Sequence, residues 1–163
     1  MMIRLAAMAD LDRLYEIEVQ NFGQKEALPR ETLAVHIQNI KTSFLVYEKE
    51  NRILAYIEGP VVPERTLVDR NFYEAKDFSE KTGGYISITS LSVAPEAQKR
   101  GLATILLDEL KQVAIQDGRE GINLTCHDYL IGFYEKQGFK LLGPSSSTYA
   151  GEKWFDMLWE NSR

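Results

Sequence analysis

Hydrophobic positions along the chain switch between two periods. In "ADLDRLYEIEVQNF" (Ala9 to Phe22) apolar residues fall at Leu11, Leu14, Tyr15, Ile17 and Val19, close to a helical repeat. Asp10 stands where an N-cap is expected. Arg30 to Ile40 carries Leu33, Val35, His36 and Ile40 behind Pro29, and predicts a second amphipathic helix. "SFLVYEKENRILAYIEG" reads instead as a hairpin, with strands Phe44 to Glu48 and Ile53 to Ile57 and the polar "KEN" as its turn. "YISITSLSV" alternates and predicts one strand from Ile86 to Val93. Leu102 to Gln116 is the strongest helix. Its stripe is Leu102, Ile105, Leu106, Leu110, Val113 and Ala114, and Gly118 is its stop. "GINLTC" predicts a strand, "DYLIGFYEKQGF" a short helix ended by Gly138, and "FKLLG" and "EKWFDMLW" two closing strands. With a short first strand in "IRLA", the order is β-α-α-β-β-loop-β-α-β-α-β-β. That is one mixed α/β domain over residues 1–163, a sheet flanked by helices.

Gly59 to Gly84 fits neither period. It holds Pro60 and Pro63, a short helical stretch around Leu67 to Ala75, and the aromatics Phe72, Tyr73 and Phe78. A connection this long in a compact domain is commonly functional. It reads as a lid or substrate wall, or as a plain surface excursion.

Composition narrows the function. With 19 Lys and Arg against 24 Asp and Glu, the net charge is -5, a poor match to nucleic-acid phosphate. One cysteine, Cys126, allows no internal disulfide. His36 and His127 lie far apart and no metal-ligand spacing accompanies them, so no metal is expected. The start has too short an apolar stretch for a secretory signal, and no run reaches the length of a membrane span. A cytoplasmic protein without a membrane partner is expected.

The stretch "SVAPEAQKRGLATILLDEL" (Ser92 to Leu110) carries the chemistry. A strand ends at Ala94-Pro95, a loop Gln98-Lys99-Arg100-Gly101 follows, and a helix opens at once. The first turn of a helix has unpaired N–H groups and a positive dipole end. Gly101 lets an anion approach the backbone, and phosphate is the usual occupant of such a cradle. The loop is neither a Walker A motif nor a Gly-x-Gly-x-x-Gly fingerprint.

Gln98-Lys99-Arg100-Gly101-Leu102-Ala103 resembles the Gln/Arg-x-x-Gly-x-Gly/Ala motif of the GNAT superfamily of N-acetyltransferases. "FYEKQGFKLLG" is similar to that family's helix-plus-strand ending, and "IRLAAMADLDRLYEIE" to its usual N-terminus. "TCHDYLIGFYEKQGFKLLGP" and the long loop before "SITSLSV" look like the arylalkylamine (serotonin) N-acetyltransferase branch. The resemblance implies a splayed, V-shaped mixed sheet and acetyl-CoA as acetyl donor, with CoA as product. Acetyl-CoA would enter between the strand Ile86 to Val93 and the strand Ile122 to Cys126. Backbone groups of Leu91, Ser92 and Val93 would hold the pantetheine arm. Gln98, Lys99, Arg100, Gly101, Leu102, Ala103 and Thr104 would hold the pyrophosphate, mainly by backbone.

The same resemblance makes Tyr134 the general acid for the departing thiolate, since a phenol (pKa about 10) is protonated at neutral pH. The base is open. The serotonin-acetylating enzymes carry two histidines where this chain has Ser87 and Thr89. The candidates are Glu58, His127, or water relayed through Ser87 and Thr89. The expected substrate is a small primary amine, attacked directly in a ternary complex. A peptide or protein acceptor, a CoA-binding sensor without catalysis, and a homodimer are each compatible with the chain.

Overall fold

The structure is a computed structural model that describes residues 2–162. Its strands are β1 (Met2–Leu5), β2 (Phe44–Lys49), β3 (Arg52–Glu58), β4 (Val61–Val62), β5 (Tyr85–Ser87), β6 (Ser90–Val93), β7 (Gly121–Cys126), β8 (Lys140–Pro144) and β9 (Phe155–Glu160). Its helices are α1 (Leu11–Glu26), α2 (Arg30–Asn39), α3 (Arg70–Tyr73), α4 (Leu102–Gln116) and α5 (Ile131–Lys136). One sheet has the order β1-β2-β3-β6 and the other β4-β5-β7-β9-β8. The mixed α/β class and the splayed sheet expected from the sequence are both present.

The predicted single strand Ile86 to Val93 is two strands in two sheets. β5 runs parallel to β7, whereas β6 pairs antiparallel with β3. Three successive N–H groups mark the change of partner. Ser87 donates to Pro60 O at 2.9 Å, Ile88 to Asn123 O at 2.8 Å, and Thr89 to Glu58 O at 2.9 Å. Two residues of the β6 strand region therefore crowd against Glu58, as in a β-bulge, and the strand is bent away from its neighbour. Beyond Ile88, β6 and β7 diverge and leave a wedge. Gly59 sits at the apex: a Cβ there would lie 2.0 Å from Ser87 O, so only glycine fits.

Helices fill both faces of the first sheet. Alternate residues of β2 and β3 point opposite ways. Leu45, Tyr47, Ala55 and Ile57 pack in a cluster with α4, and Phe44, Val46 and Tyr56 in a cluster with α1 and α2. α4 buries Leu102, Leu106, Leu107, Leu110 and Ala114. Each leucine contributes on the order of 1.5–3 kcal/mol of burial. Ile105 differs from expectation: it is partly exposed, and Leu107 takes the inner position. Asp10 differs too. Its side chain makes no cap on α1; it accepts the Ala7 N–H at 2.8 Å and pairs with Arg4 at 2.8 Å, closing the 3-10 turn Met8–Asp10 instead.

Candidate active site

The wedge between β6 and β7 leads into a cavity of about 200 Å³. α1 and β6 form one wall, β7 and α5 another, and Phe72, Tyr149 and Trp154 close it. The long segment after β3 thus does supply a wall, through Phe72. Tyr73 lies outward and half-exposed against Tyr149, and Phe78 packs on the α4 cluster.

Along β6 and at the mouth of α4 the groups are mostly backbone. Ala94 N–H donates to Leu54 O at 2.7 Å, so by strand alternation Leu91 and Val93 turn their N–H and C=O toward the wedge. Val93 O confirms the direction. It accepts Asn21 Nδ2 at 2.7 Å and Gln98 Nε2 at 3.1 Å. Gln98 also donates to Asn21 Oδ1 at 3.1 Å, so its side chain ties the loop to α1. Ser92 is buried, with its hydroxyl oxygen 2.6 Å from Asn21 Nδ2. Gly101 is the α4 N-cap at φ 77°, a left-handed conformation suited to glycine, and the space where its Cβ would stand is open to 4 Å. The first helical bond is Ile105 N–H to Gly101 O at 3.1 Å. The N–H groups of Leu102, Ala103 and Thr104 precede it and are left for a ligand, next to the positive end of the helix dipole. This open, glycine-capped helix mouth, beside a strand edge whose Val93 O is engaged by Asn21 and Gln98, could hold a pyrophosphate and a pantetheine amide. Lys99 and Arg100 are exposed; Arg100 Nη2 donates to Glu96 O at 3.3 Å. Thr104 Oγ1 accepts Gln137 Nε2 at 3.1 Å and locks α4 to the end of α5.

Tyr134 is buried and lines the cavity near Cys126. Burial, reinforced by the Cys126 sulfur, pushes its phenol well above the ordinary value, so it stays protonated. Burial lifts the Cys126 thiol to about 11, which leaves it neutral and a poor nucleophile at neutral pH.

The other side of the cavity is built from side chains that meet from distant parts of the chain. Glu18, on the inner face of α1, is 1% exposed yet lines the cavity. Its carboxylate accepts the Leu28 N–H at 3.0 Å, the Ser90 hydroxyl at 2.7 Å and the Tyr56 hydroxyl. Burial raises its pKa, the three hydrogen bonds oppose that, and the charge of Glu58 adds to it. His127 lines the cavity with Nε2 held by Glu26 at 3.0 Å and its ring stacked between Tyr129 and Trp154.

Glu58, a candidate base, ends β3 inside the core. It is fully buried, 2.8 Å from His36 Nδ1 and 2.7 Å from Thr89 Oγ1, and Thr89 stands between it and the cavity. Ser87 bonds Asn123 away from the cavity lining, so of the two relay positions only Thr89 reaches it. Glu18, Glu26, Tyr149 and Trp154 were not found from the sequence. A glutamate on an otherwise apolar helix face, four positions after Leu14, was the one available signal.

Residues 11–139 match the Acetyltransferase (GNAT) family, and the chain belongs to that family. Its fold is similar to a GphF GNAT-like decarboxylase in complex with isobutyryl-CoA (16% identity, 98% of this chain and 99% of the other, TM-score 0.84). It is also similar to the loading GNATL domain of CurA from Lyngbya majuscula (16%, 98% and 96%, TM-score 0.80). A third similar structure is the ribosomal-protein-S18-alanine N-acetyltransferase from Escherichia coli (18%, 99% and 94%, TM-score 0.71). No curated protein matches the sequence. Among the described residues no group of three or more potential ligands could hold a metal, and no helix is long and apolar enough to cross a membrane.

Proposed function

We propose that the protein transfers an acetyl group from acetyl-CoA to a small primary amine with an aromatic or apolar body. The observation that carries this reading is the charge of the cavity. Among the described residues that line it, the ionisable carboxylates are Glu18 and Glu26, and none is Lys or Arg. Such a pocket favours an ammonium ion and disfavours an anion. The same charge argues against the decarboxylation named for the GphF fold relative, which would bring a carboxylate beside Glu18. The aromatic closure by Phe72, Tyr149 and Trp154 favours a compact acceptor over a peptide in an open groove.

Leu91 and Val93 hold the pantetheine arm by backbone, and the N–H groups of Leu102, Ala103 and Thr104 meet the pyrophosphate. The bound ammonium loses one proton to solvent, and the neutral nitrogen's lone pair attacks the thioester carbon directly. Glu18, its pKa raised by burial, takes the second nitrogen proton as the C–N bond forms. A backbone N–H near Leu91 to Val93 steadies the oxyanion. The C–N bond forms, the C–S bond breaks, and Tyr134 gives its proton to the sulfur. Amide and CoA thiol leave. Glu18 replaces Glu58 and the Ser87 relay as base because it touches the cavity itself. His127 has its Nε2 engaged by Glu26 and serves as wall. The aromatic pocket agrees with the arylalkylamine branch.

The test is a panel of aromatic amines, aliphatic amines and N-terminal peptides, each offered with acetyl-CoA. Aromatic primary amines should give the highest kcat/KM. A preference for peptides would overturn the acceptor assignment, and a melting temperature unmoved by acetyl-CoA would overturn the donor assignment.

A further inference from the structure

A fully buried ion pair is a poor stabilising device, because desolvation offsets much of its attraction. His36 and Glu58 form one, both at 0% exposure. The proposed chemistry does not use it, but its two ends lead to the cavity. Glu58 Oε1 bonds Thr89 Oγ1, and Thr89 lines the cavity on the bulge. His36 Nε2 lies 2.8 Å from Phe72 O, and the Phe72 ring is part of the closing wall.

The direction of each bond can be worked out. A carbonyl oxygen only accepts, so His36 Nε2 carries a hydrogen. Between His36 Nδ1 and Glu58 Oε2 one proton is shared, whichever atom holds it. In both placements Glu58 Oε1 has no hydrogen and can only accept. Thr89 must therefore donate, and a hydroxyl has a single hydrogen. Toward the cavity Thr89 presents lone pairs alone. Glu18, on α1, is the other charged group near this pair; its carboxylate is engaged by Tyr56, Ser90 and Leu28 and offers no donor to Thr89.

We propose that Thr89, with its hydroxyl direction set by Glu58 and His36, selects primary over secondary amines. This rests on the function proposed above. A neutral primary amine brings two N–H groups and one lone pair. Thr89 accepts one N–H and Glu18 the other, and the lone pair is left for the thioester carbon. An N-methylated amine has one N–H when neutral. It satisfies Glu18 or Thr89 but not both, and an alcohol fails in the same way. Leaving one hydrogen bond unmade in a buried site costs about 1–3 kcal/mol, roughly a ten- to hundredfold preference. Glu58 and His36 are positioning residues in this scheme.

The experiment compares kcat/KM for 2-phenylethylamine and N-methyl-2-phenylethylamine in the wild type, Thr89→Ser, Thr89→Val and Glu58→Ala. The wild type should favour the primary amine at least tenfold. Thr89→Ser should keep that ratio, because its hydroxyl has the same partner. Thr89→Val should bring it near unity with KM for acetyl-CoA unchanged, and a folded Glu58→Ala should move the same way. A merely structural Thr89 would lower both rates together and leave the ratio intact, which would overturn the proposal. So would a wild type that acetylates both amines equally. A wild type that transfers to no amine would overturn the function itself, a distinct result. If Glu58→Ala fails to fold, the Ser and Val pair at Thr89 still decides.

Discussion

The two ends of the cleft are made of different materials. At the donor end the chain offers backbone: the β6 edge at Leu91 and the Val93 N–H, with Val93 O held by Asn21 and Gln98, and a glycine-capped helix mouth at Gly101. At the acceptor end it offers side chains from α1, the turn after β7, α3 and the segment before β9: Glu18, His127, Phe72 and Trp154. Backbone recognition needs a conformation more than an identity. Side-chain recognition needs particular atoms brought together by the whole fold. The first tolerates sequence change; the second carries the choice of acceptor.

This contrast can be broken by mutation. The largest effect should come from Tyr134→Phe, which removes the proton donor for the thiolate. A loss of about 10²–10⁴-fold in kcat is expected, with acetyl-CoA affinity unchanged. Unaltered kcat would place Tyr134 among the core aromatics only, where it already meets Phe133 and Phe139.

Glu18→Gln should lower kcat/KM for the amine by about 10²-fold. It should also erase the acid limb of the kcat–pH profile. In the wild type that limb should sit above the ordinary carboxylate range, since burial holds Glu18 up. No alkaline fall is expected up to about pH 10, because burial keeps the Tyr134 proton in place beyond the usual phenol value.

Gly101→Ala should have a smaller effect. Its φ of 77° costs a non-glycine residue about 1–2 kcal/mol, read as a lower melting temperature and roughly tenfold weaker acetyl-CoA binding by calorimetry. Lys99→Ala with Arg100→Ala should weaken binding only a few-fold, and less at high salt, if the backbone carries the pyrophosphate. Larger loss from the double variant than from Gly101→Ala would reverse the account of the donor end.

The acceptor end should also show itself in stability. Burial alone would lower the pKa of His36, but the charge of Glu58, its hydrogen bond, and the Phe72 carbonyl outweigh that and raise it. The folded state therefore holds the His36 proton more tightly than the unfolded chain. That stabilisation is complete below about pH 6.5 and is lost as pH rises through the folded value. Glu18, also raised, acts in the same direction, since a buried carboxyl resists losing its proton. Urea unfolding should give a free energy that falls as pH rises above about 6.5, with a shallower fall in His36→Gln.

The same division explains what could be read from the chain. Leu102–Gln116, the Phe44–Lys49 and Arg52–Glu58 hairpin and Gly121–Cys126 follow from local period and turn chemistry, and they stand where the pattern put them. The Gln98 to Thr104 loop is contiguous, so the family motif it resembles was legible. The break at Ile88 and Thr89 was not, because it depends on which strands lie beside each N–H, and alternation runs through it unchanged. The burial of Glu58 could not be read because its partners, His36 and Thr89, are 22 and 31 residues away. Glu26 and His127 are 101 residues apart, and no spacing rule joins them.

The central claim is acetyl transfer to a primary amine by the purified protein. Thiol release from acetyl-CoA, followed beside amide formation by mass spectrometry with 2-phenylethylamine, tests it directly. The account predicts one amide per thiol, with release dependent on the amine. Release that ignores the amine, or no amide from any primary amine in the panel by a folded protein, would contradict it.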